Sequence, residues 1–141
     1  MSNLAGFLAG NVEKRENKKI VVSKRFKNKE GKPINWVIRP ITADEDEAIR
    51  KQCTTNKPIA GKKNQYRQDF DANKYLTKLA ATAVVYPDLN DVELQNSYGA
   101  MGAEQLIKKM LYRDEFDFLT EQLVENTDTE DINELVDEAK N

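Results

Sequence analysis

Histidine and cysteine, two side chains that often act in catalysis and in zinc binding, are almost absent from this sequence. It contains no histidine and a single cysteine, Cys53. Without histidine, Ser-His-Asp and Cys-His nucleophilic catalysis are excluded, and so are zinc sites that use imidazole ligands. One cysteine can form neither an intramolecular disulfide nor a four-cysteine metal site, and a lone thiol fits a reducing cytoplasm. We therefore expect a protein without enzymatic activity, cofactor or metal.

Two short clusters still resemble parts of functional sites, and each has a structural interpretation. Residues 44–47 are four consecutive carboxylates. Thr42 and Glu45 have the spacing of a capping box, and acidic residues are favoured in the first turn of a helix. The tripeptide Gly61-Lys62-Lys63 lacks the first glycine, the Ser/Thr after lysine and the preceding strand of a phosphate-binding loop. We interpret the first cluster as a helix start and the second as part of a polar loop.

The charge of the chain is divided unevenly between its two halves. The net charge is −2 overall, but residues 1–70 carry a net +8 and residues 71–141 a net −10. The halves either attract each other or bind different partners, or each has only a solvated charged face. No apolar run approaches the roughly 20 residues needed to span a bilayer. The mildly apolar N-terminus lacks a basic region before it, so we expect a short docking helix rather than a signal peptide, and no membrane partner.

The first half of the chain has the pattern of a β-hairpin and a helix. Two β-branched runs, at 18–26 and 34–41, flank a segment rich in turn formers, and Trp36 and Ile38 share one face. A hairpin is marginal alone in water, so it must pack on helices or on a partner. A helix is predicted from the cap at Thr42 to about Cys53. Residues 54–68 are predicted to form a basic polar loop or linker.

The second half of the chain has the pattern of several short helices. Asp71 begins the strongest one, with a stripe of apolar residues up to Val84 and an end at Pro87. Further helices are predicted at 91–98, 103–111 and 114–124, and a capping box at Thr127 precedes a last acidic helix. The predicted fold class is mainly α, of the α+β type, with an N-terminal β-hairpin and then a compact helical domain of about four to five helices. The predicted division is 1–69, with hairpin, one helix and basic linker, and 70–141, the helical domain with a short acidic C-terminal helix.

One part of the sequence contains specific motifs that helix packing alone does not require. It contains Val84-Val-Tyr-Pro-Asp-Leu89, then Glu93-Leu-Gln-Asn-Ser-Tyr-Gly99 and then Lys109-Met-Leu111. Upstream lies Pro33-Ile-Asn-Trp-Val-Ile-Arg-Pro-Ile-Thr-Ala-Asp-Glu45. Together these motifs resemble the tail assembly chaperones of contractile-tailed phages, in the group found in Gram-positive prophages and defective phage-like elements. The resemblance covers about residues 33–125.

The resemblance implies a function and two partners. Such chaperones are cytoplasmic, are made late in infection and are absent from the finished virion. They hold the long tape-measure protein soluble while subunits of the tail-tube protein polymerise around it. In many phages a ribosomal frameshift also makes a longer form. This task requires an apolar surface that accepts helical segments with moderate affinity, because the partner must later be released.

Flexible methionines and large aromatic side chains suit such a surface. The candidate partner-binding residues are Trp36, Tyr98, Met101, Met110, Tyr112, Phe116 and Phe118. The alternative is that they fill the protein's own core, which we favour for Met110, Leu111 and Phe116. Phe118 lies off the stripe formed by 116, 119 and 123, so we expect it to be exposed. The free edge of the hairpin is a second candidate surface, for a strand of a tail-tube subunit, although its lysines equally suit simple protection of the edge.

The alternative function is a small nucleic-acid-binding protein that uses the basic N-terminal half. Tyr66 and Trp36 would then stack on bases. Against this interpretation, the isoelectric point is about 5.3, which is not typical of nucleic-acid-binding domains. The acidic half would also repel phosphate. A chaperone is therefore the preferred interpretation.

Overall fold

The computed structural model describes residues 3–125, which form two small antiparallel sheets and five α-helices. The first sheet has the strand order β1-β2-β5, and the second is the pair β3-β4. The strands are β1 Lys18–Ile20, β2 Trp36–Ile38, β3 Thr54–Pro58, β4 Tyr66–Phe70 and β5 Val84–Tyr86. The helices are α1 Ala43–Gln52, α2 Ala72–Ala83, α3 Val92–Ser97, α4 Ala103–Met110 and α5 Arg113–Val124, after a short 3-10 helix at Asn3–Phe7.

The N-terminal hairpin is present but is shorter than predicted. β1 and β2 pair antiparallel, with Ile20 opposite Trp36. Only three residues of each predicted run are strand, because the chain leaves the ladder after Ile20 and returns at Trp36. Between them the backbone of Ile34 donates to the carbonyl of Phe26 at 2.7 Å, which closes a broad loop. The fold is therefore α+β, as predicted, with less strand in this hairpin.

The predicted end of α2 at Pro87 is wrong, because the helix ends at Ala83. Val84–Tyr86 instead forms β5, which pairs antiparallel with β2. Val84 and Val85 are β-branched and so favour a strand over a helix terminus. The edge of β2 offers them hydrogen-bond partners, and Arg39 N–H donates to the carbonyl of Ala83 at 2.9 Å. Backbone pairing with the distant strand β2 therefore outweighs the helical pattern of the sequence at residues 84–86.

The predicted loop or linker at 54–68 is also wrong, because most of it forms the hairpin β3-β4. Five residue pairs run from Thr54 opposite Phe70 to Pro58 opposite Tyr66. The turn uses two residues with positive φ, Gly61 at 79° and Asn64 at 60°, a conformation that glycine and asparagine tolerate best. The strands lack an alternation of apolar and polar residues, which is the pattern that predicts a strand.

The predicted starts of α1, α2 and α3 are confirmed by their caps, whereas α5 begins at Arg113, one residue before the predicted Asp114. Thr42 and Glu45 form the predicted capping box of α1. Asp71 caps α2 by accepting the N–H of Lys74 at 3.1 Å, and Asp91 caps α3 by accepting that of Leu94 at 2.9 Å. The predicted docking helix at the N-terminus is a 3-10 turn without a buried residue. The predicted last helix, after Thr127, lies outside the described residues.

The hydrophobic core draws on residues from both sides of position 70. Trp36 is 1% exposed, and Leu106, Ile107 and Leu119 are 0% exposed. The main cluster comprises Ile20, Val22, Trp36, Ile38, Ala80, Val84, Leu89, Ala100, Leu106, Ile107, Met110, Leu111 and Leu119. A smaller cluster holds Ile49, Cys53 and Leu79 between α1 and α2. Over residues 3–125, no helix has the length and apolar character needed to cross a membrane.

Candidate partner-binding surface

The guanidinium of Arg25 connects the N-terminal part of the chain to the start of α5. Its Nε and Nη2 donate to the two carboxylate oxygens of Glu115 at 2.9 and 2.6 Å. Nη2 also donates to the carbonyl of Met110 at 2.9 Å. The guanidinium carbon lies 4.6 Å from the ring centroid of Tyr112 and 5.0 Å from that of Phe26. A bidentate pair of this kind fixes orientation as well as distance.

The electrostatics of this pair follow from its hydrogen bonds. Arg25, more than any other group, lowers the pKa of Glu115 to about 2, with help from Ser23 and from the backbone N–H of Tyr112. Glu115 in turn raises the pKa of Arg25, with smaller contributions from Tyr112 and Tyr98. Both groups are therefore charged at neutral pH. The Arg25 guanidinium and the Glu115 carboxylate therefore hold each other in place by charge and hydrogen bonds.

Three of the predicted aromatic residues are exposed to solvent, and two of them, Tyr112 and Tyr98, interact with Arg25. Tyr112 is 67% exposed, Phe118 39% and Tyr98 37%. Phe118 lies on the stripe of α5 that also holds Glu115 and Gln122, and Gln122 accepts from Lys18 Nζ at 2.9 Å. Both neighbours on that stripe thus contact the segment 18–25. We call Arg25, Tyr98, Tyr112 and Phe118 the Arg25 surface.

The other predicted partner-binding residues lie elsewhere. Trp36 and Met110 are buried, with 1% and 5% exposed, and both belong to the main core. Phe116 is partly buried and packs against that core. Trp36 supports the Arg25 surface from inside, because its ring lies 5.5 Å from that of Phe26, which contacts Arg25. In this conformation neither Trp36 nor Met110 presents its side chain to a partner.

Met101 lies beside a separate open groove. It is 84% exposed, in the turn before α4. The groove has a volume of about 480 Å³ and runs between α1, α2 and the start of α4. Small residues form part of its wall, among them Ala81, Gly102 and Ala103. The pair between Lys78 and Glu104, at 3.3 Å, lines it on the polar side.

The second predicted surface, the free edge of the N-terminal hairpin, is smaller than expected. β2 is the central strand, because β5 covers the edge that β1 leaves open. Of the two strands of the hairpin, β1 keeps a free outer edge, over three residues that include Lys18 and Lys19. Among residues 3–125 there is also no group of three or more His, Cys, Asp or Glu side chains arranged to hold a metal ion.

Sequence reasoning missed Arg25 and Glu115, which organise the surface. The two residues are 90 positions apart, and each is one of many charged residues in its segment. The one local signal was the three-residue spacing from Tyr112 to Glu115, since the Glu115 carboxylate accepts the N–H of Tyr112 at 2.8 Å. That spacing identifies a helix start but not the arginine that pairs with it.

Comparison with known protein families identifies the family of this chain. The family model described as phage XkdN-like tail assembly chaperone protein matches residues 4–140. This chain belongs to that family. The resemblance drawn from residues 33–125 is thereby confirmed, and a tail assembly chaperone has a non-catalytic role.

Two curated relatives come from Bacillus subtilis strain 168. The phage-like element PBSX protein XkdN is 27% identical over 141 residues, covering 99% of this chain and 94% of that protein. The protein YqbN, named as uncharacterized, is 25% identical over 141 residues, covering 99% and 93%. The crystal structure of the protein YqbN matches with a TM-score of 0.74 at 23% identity, over 89% of this chain and 95% of that one. This structural match shows that the fold is shared.

Proposed function

We propose that this tail assembly chaperone binds the tape-measure protein through the Arg25 surface and keeps it soluble during tail assembly. The observation that carries the proposal is the exposed Tyr112 ring held against the Arg25–Glu115 ion pair, together with the exposed rings of Tyr98 and Phe118. Large apolar side chains that stay exposed in a folded monomer are typical of binding surfaces. The partner class comes from the family to which the chain belongs.

The geometry suits a helical segment that must be held and later released. Tyr and Phe rings offer a large contact area at low cost in conformational entropy, and they dominate many protein interfaces. The Arg25–Glu115 pair holds Tyr112 in position before binding, which reduces the ordering required of the protein. The Arg25 side chain remains 45% exposed, so it can also contact acidic residues of a partner.

The proposal extends to a second partner and to the site of action. We infer that tail-tube subunits contact the chaperone at the outer edge of β1, where Lys18 and Lys19 flank an unpaired backbone. The protein would act in the host bacterial cytoplasm and be absent from the mature virion. It would need neither a cofactor nor a catalytic residue for this task.

Co-expression with a fragment of the tape-measure protein tests the function. The wild-type chain should raise the soluble yield of the fragment and co-purify with it. The double variant Tyr112→Ala/Phe118→Ala should weaken binding by about tenfold or more, as expected when central aromatic contacts are removed. Tyr66→Ala is the matched control, because Tyr66 is an exposed aromatic residue on the other hairpin, 62% exposed. A wild-type chain that neither raises the yield nor co-purifies would contradict the proposal.

The same preparations test the nucleic-acid alternative. Trp36 is only 1% exposed, so it is not available to stack on a base. Tyr66 and the lysines near it remain as the possible contact. A gel-shift assay at low salt, where such binding is strongest, should show no tight complex with DNA or RNA. Tight binding would favour the alternative function over the chaperone.

A further inference from the structure

A groove with a volume of about 180 Å³ lies beside the point where the described chain ends. It is lined by the last turn of α5, by the segment before β1 and by the residues that join β2 to α1. Pro40, Ile41 and Leu123 line it and are partly exposed, and Val124, which is 65% exposed, lines it too. The described residues therefore leave apolar surface uncovered in this groove.

The size of the groove indicates the kind of occupant that it fits. Pockets for small molecules usually measure about 300–1,000 Å³, which is larger than this groove. An apolar cavity of about 150 Å³ holds a single benzene ring. The groove therefore has room for one or two apolar side chains of a peptide segment rather than for a whole small molecule.

The border of the groove is basic on the side of the segment before β1. Arg15 and Lys18 line the groove there. Lys18 donates to the neutral side chain of Gln122 at 2.9 Å and forms no ion pair within residues 3–125. Residues 14–19 hold four cations, Lys14, Arg15, Lys18 and Lys19, and one carboxylate, Glu16. An occupant with both apolar side chains and carboxylates would match this border.

The C-terminal end of the same chain has this composition. Sixteen residues follow Glu125, and they include six Asp or Glu and one Lys. Ile132, Leu135 and Val136 have the spacing i, i+3, i+4, which gathers apolar side chains on one face of a helical turn. Val124 and Glu125 themselves line the groove, so the segment 126–141 starts at its border.

We propose that the segment 126–141 binds in this groove of its own chain. Ile132 and Leu135 supply the apolar side chains, and the carboxylates of the segment lie toward the basic residues 14–19. Because the segment is covalently attached, its effective concentration at the groove is on the order of millimolar, so a weak contact is enough to keep it bound. A separate partner would have to displace it first.

The bound segment would cover one end of the free edge of β1. Lys18 is the first residue of β1 and also lines the groove. A tail-tube subunit that adds to this edge would therefore compete with the segment 126–141. This consequence alone rests on the proposed function, whereas the contact itself does not.

Carbodiimide cross-linking of the full chain tests the contact. The reagent joins a lysine amine to a carboxylate only where the two groups meet. Peptide mass spectrometry should find Lys14, Lys18 or Lys19 linked to carboxylates of 126–141. An equal mixture of ¹⁴N-labelled and ¹⁵N-labelled chains identifies links within one copy, which carry a single label. The exposed lysines Lys24, Lys27 and Lys29 of the β1-β2 loop are the reference and should form few such links.

A variant without the apolar side chains separates binding from simple attachment. Ile132→Ser/Leu135→Ser leaves every carboxylate in place but should weaken the contact by about tenfold or more, because it removes the burial of two large apolar side chains. The links to residues 14–19 should be lost, and the amide resonances of Ile41 and Gln122 should shift in a ¹⁵N correlation spectrum. Thr127→Ser/Asn133→Ser is the matched control within the same segment and should behave like the wild type. Circular dichroism checks that each variant is folded.

Several outcomes would overturn the proposal. One is a wild-type chain whose segment 126–141 links no more often to residues 14–19 than to the reference lysines. Another is a set of links that always join two differently labelled copies. Links and resonances that stay unchanged in Ile132→Ser/Leu135→Ser would equally contradict it. None of these results bears on tape-measure binding, which co-purification measures separately.

Discussion

At the scale of single residues, the ion pair of Arg25 and Glu115 shows how a charged contact can organise a surface without being a catalytic site. The pair joins a loop before β2 to the first turn of α5, and it fixes Tyr112 beside Arg25. Glu45 and Arg39 form a comparable pair at the start of α1, with an Nη2 to Oε2 distance of 2.6 Å. In both pairs the carboxylate is the third residue of a helix, where negative charge is favoured.

These pairs predict how stability depends on pH. The pKa of Glu115 falls from its ordinary value of 4.5 to about 2 in the folded protein, chiefly through Arg25. A lowered pKa contributes stability above the unfolded value and loses it as the pH falls toward the folded value. The free energy of unfolding should therefore decrease between about pH 5 and pH 2. Urea denaturation at a series of pH values measures this decrease.

The variant Glu115→Gln separates the contribution of this pair. It should be less stable than the wild type at pH 7 and should lose less stability on acidification. Glu45→Gln is the companion variant, because the pKa of Glu45 is also lowered to about 2, mainly by Arg39. If Glu115→Gln retained the full acid sensitivity of the wild type, the role given to the pair would be wrong.

Among single substitutions, we expect the largest loss of stability at a residue of the core. Leu106 is 0% exposed and lies in the main cluster. Leu106→Ala should lower the free energy of unfolding by about 2–5 kcal/mol, because it removes buried methyl groups and leaves a cavity. Met101→Ala, at a residue 84% exposed, should stay within about 0.5 kcal/mol of the wild type. Chemical denaturation measures both, and equal effects of the two would contradict the assigned burial.

At the scale of elements, the helix caps were predictable because a cap depends on residues only three positions apart. Thr42, Asp71 and Asp91 each accept a backbone N–H of the following turn, as their sequence context indicates. The strand β5 was not predictable in this way. Its residues continue the stripe of α2, and only the edge of β2 decides that they form a strand.

The cap of α2 provides a test at this scale. Asp71→Ala removes the acceptor for the Lys74 N–H and should cost about 1 kcal/mol of stability. Asn73→Ala changes a neighbouring exposed residue whose side chain does not cap the helix, and it should have a smaller effect. Thermal unfolding followed by circular dichroism compares them. A larger loss for Asn73→Ala would show that Asp71 does not act as the cap.

At the scale of the whole molecule, the two halves of the chain share one core. Trp36 and Ile38 come from the first half, and Leu106 and Leu119 from the second. The predicted division at residue 70 stays a prediction, whereas the shared cluster is a property of the described fold. We expect single-step unfolding, because neither set of residues can bury its apolar surface without the other.

The single tryptophan allows this to be measured. Trp36 fluorescence reports on the sheet, and far-ultraviolet circular dichroism reports mainly on the helices. The two signals should have the same midpoint in urea, as a two-state transition requires. Leu106→Ala should shift both midpoints together. Separate midpoints in the wild-type chain would show that the halves unfold independently.

The sequence by itself indicated the class of fold, most of the helix starts and the family. These properties depend on residue types, on short spacings or on motifs that are continuous in the chain. The tertiary structure alone decided the strand β5, the hairpin β3-β4 and the assembly of the Arg25 surface. Each of these joins positions that lie far apart in the chain, such as Arg25 and Glu115, and their contact depends on how the elements pack. Burial also depends on how the elements pack. Trp36 and Tyr112 are both large aromatic residues, but packing places Trp36 in the core and Tyr112 on the surface.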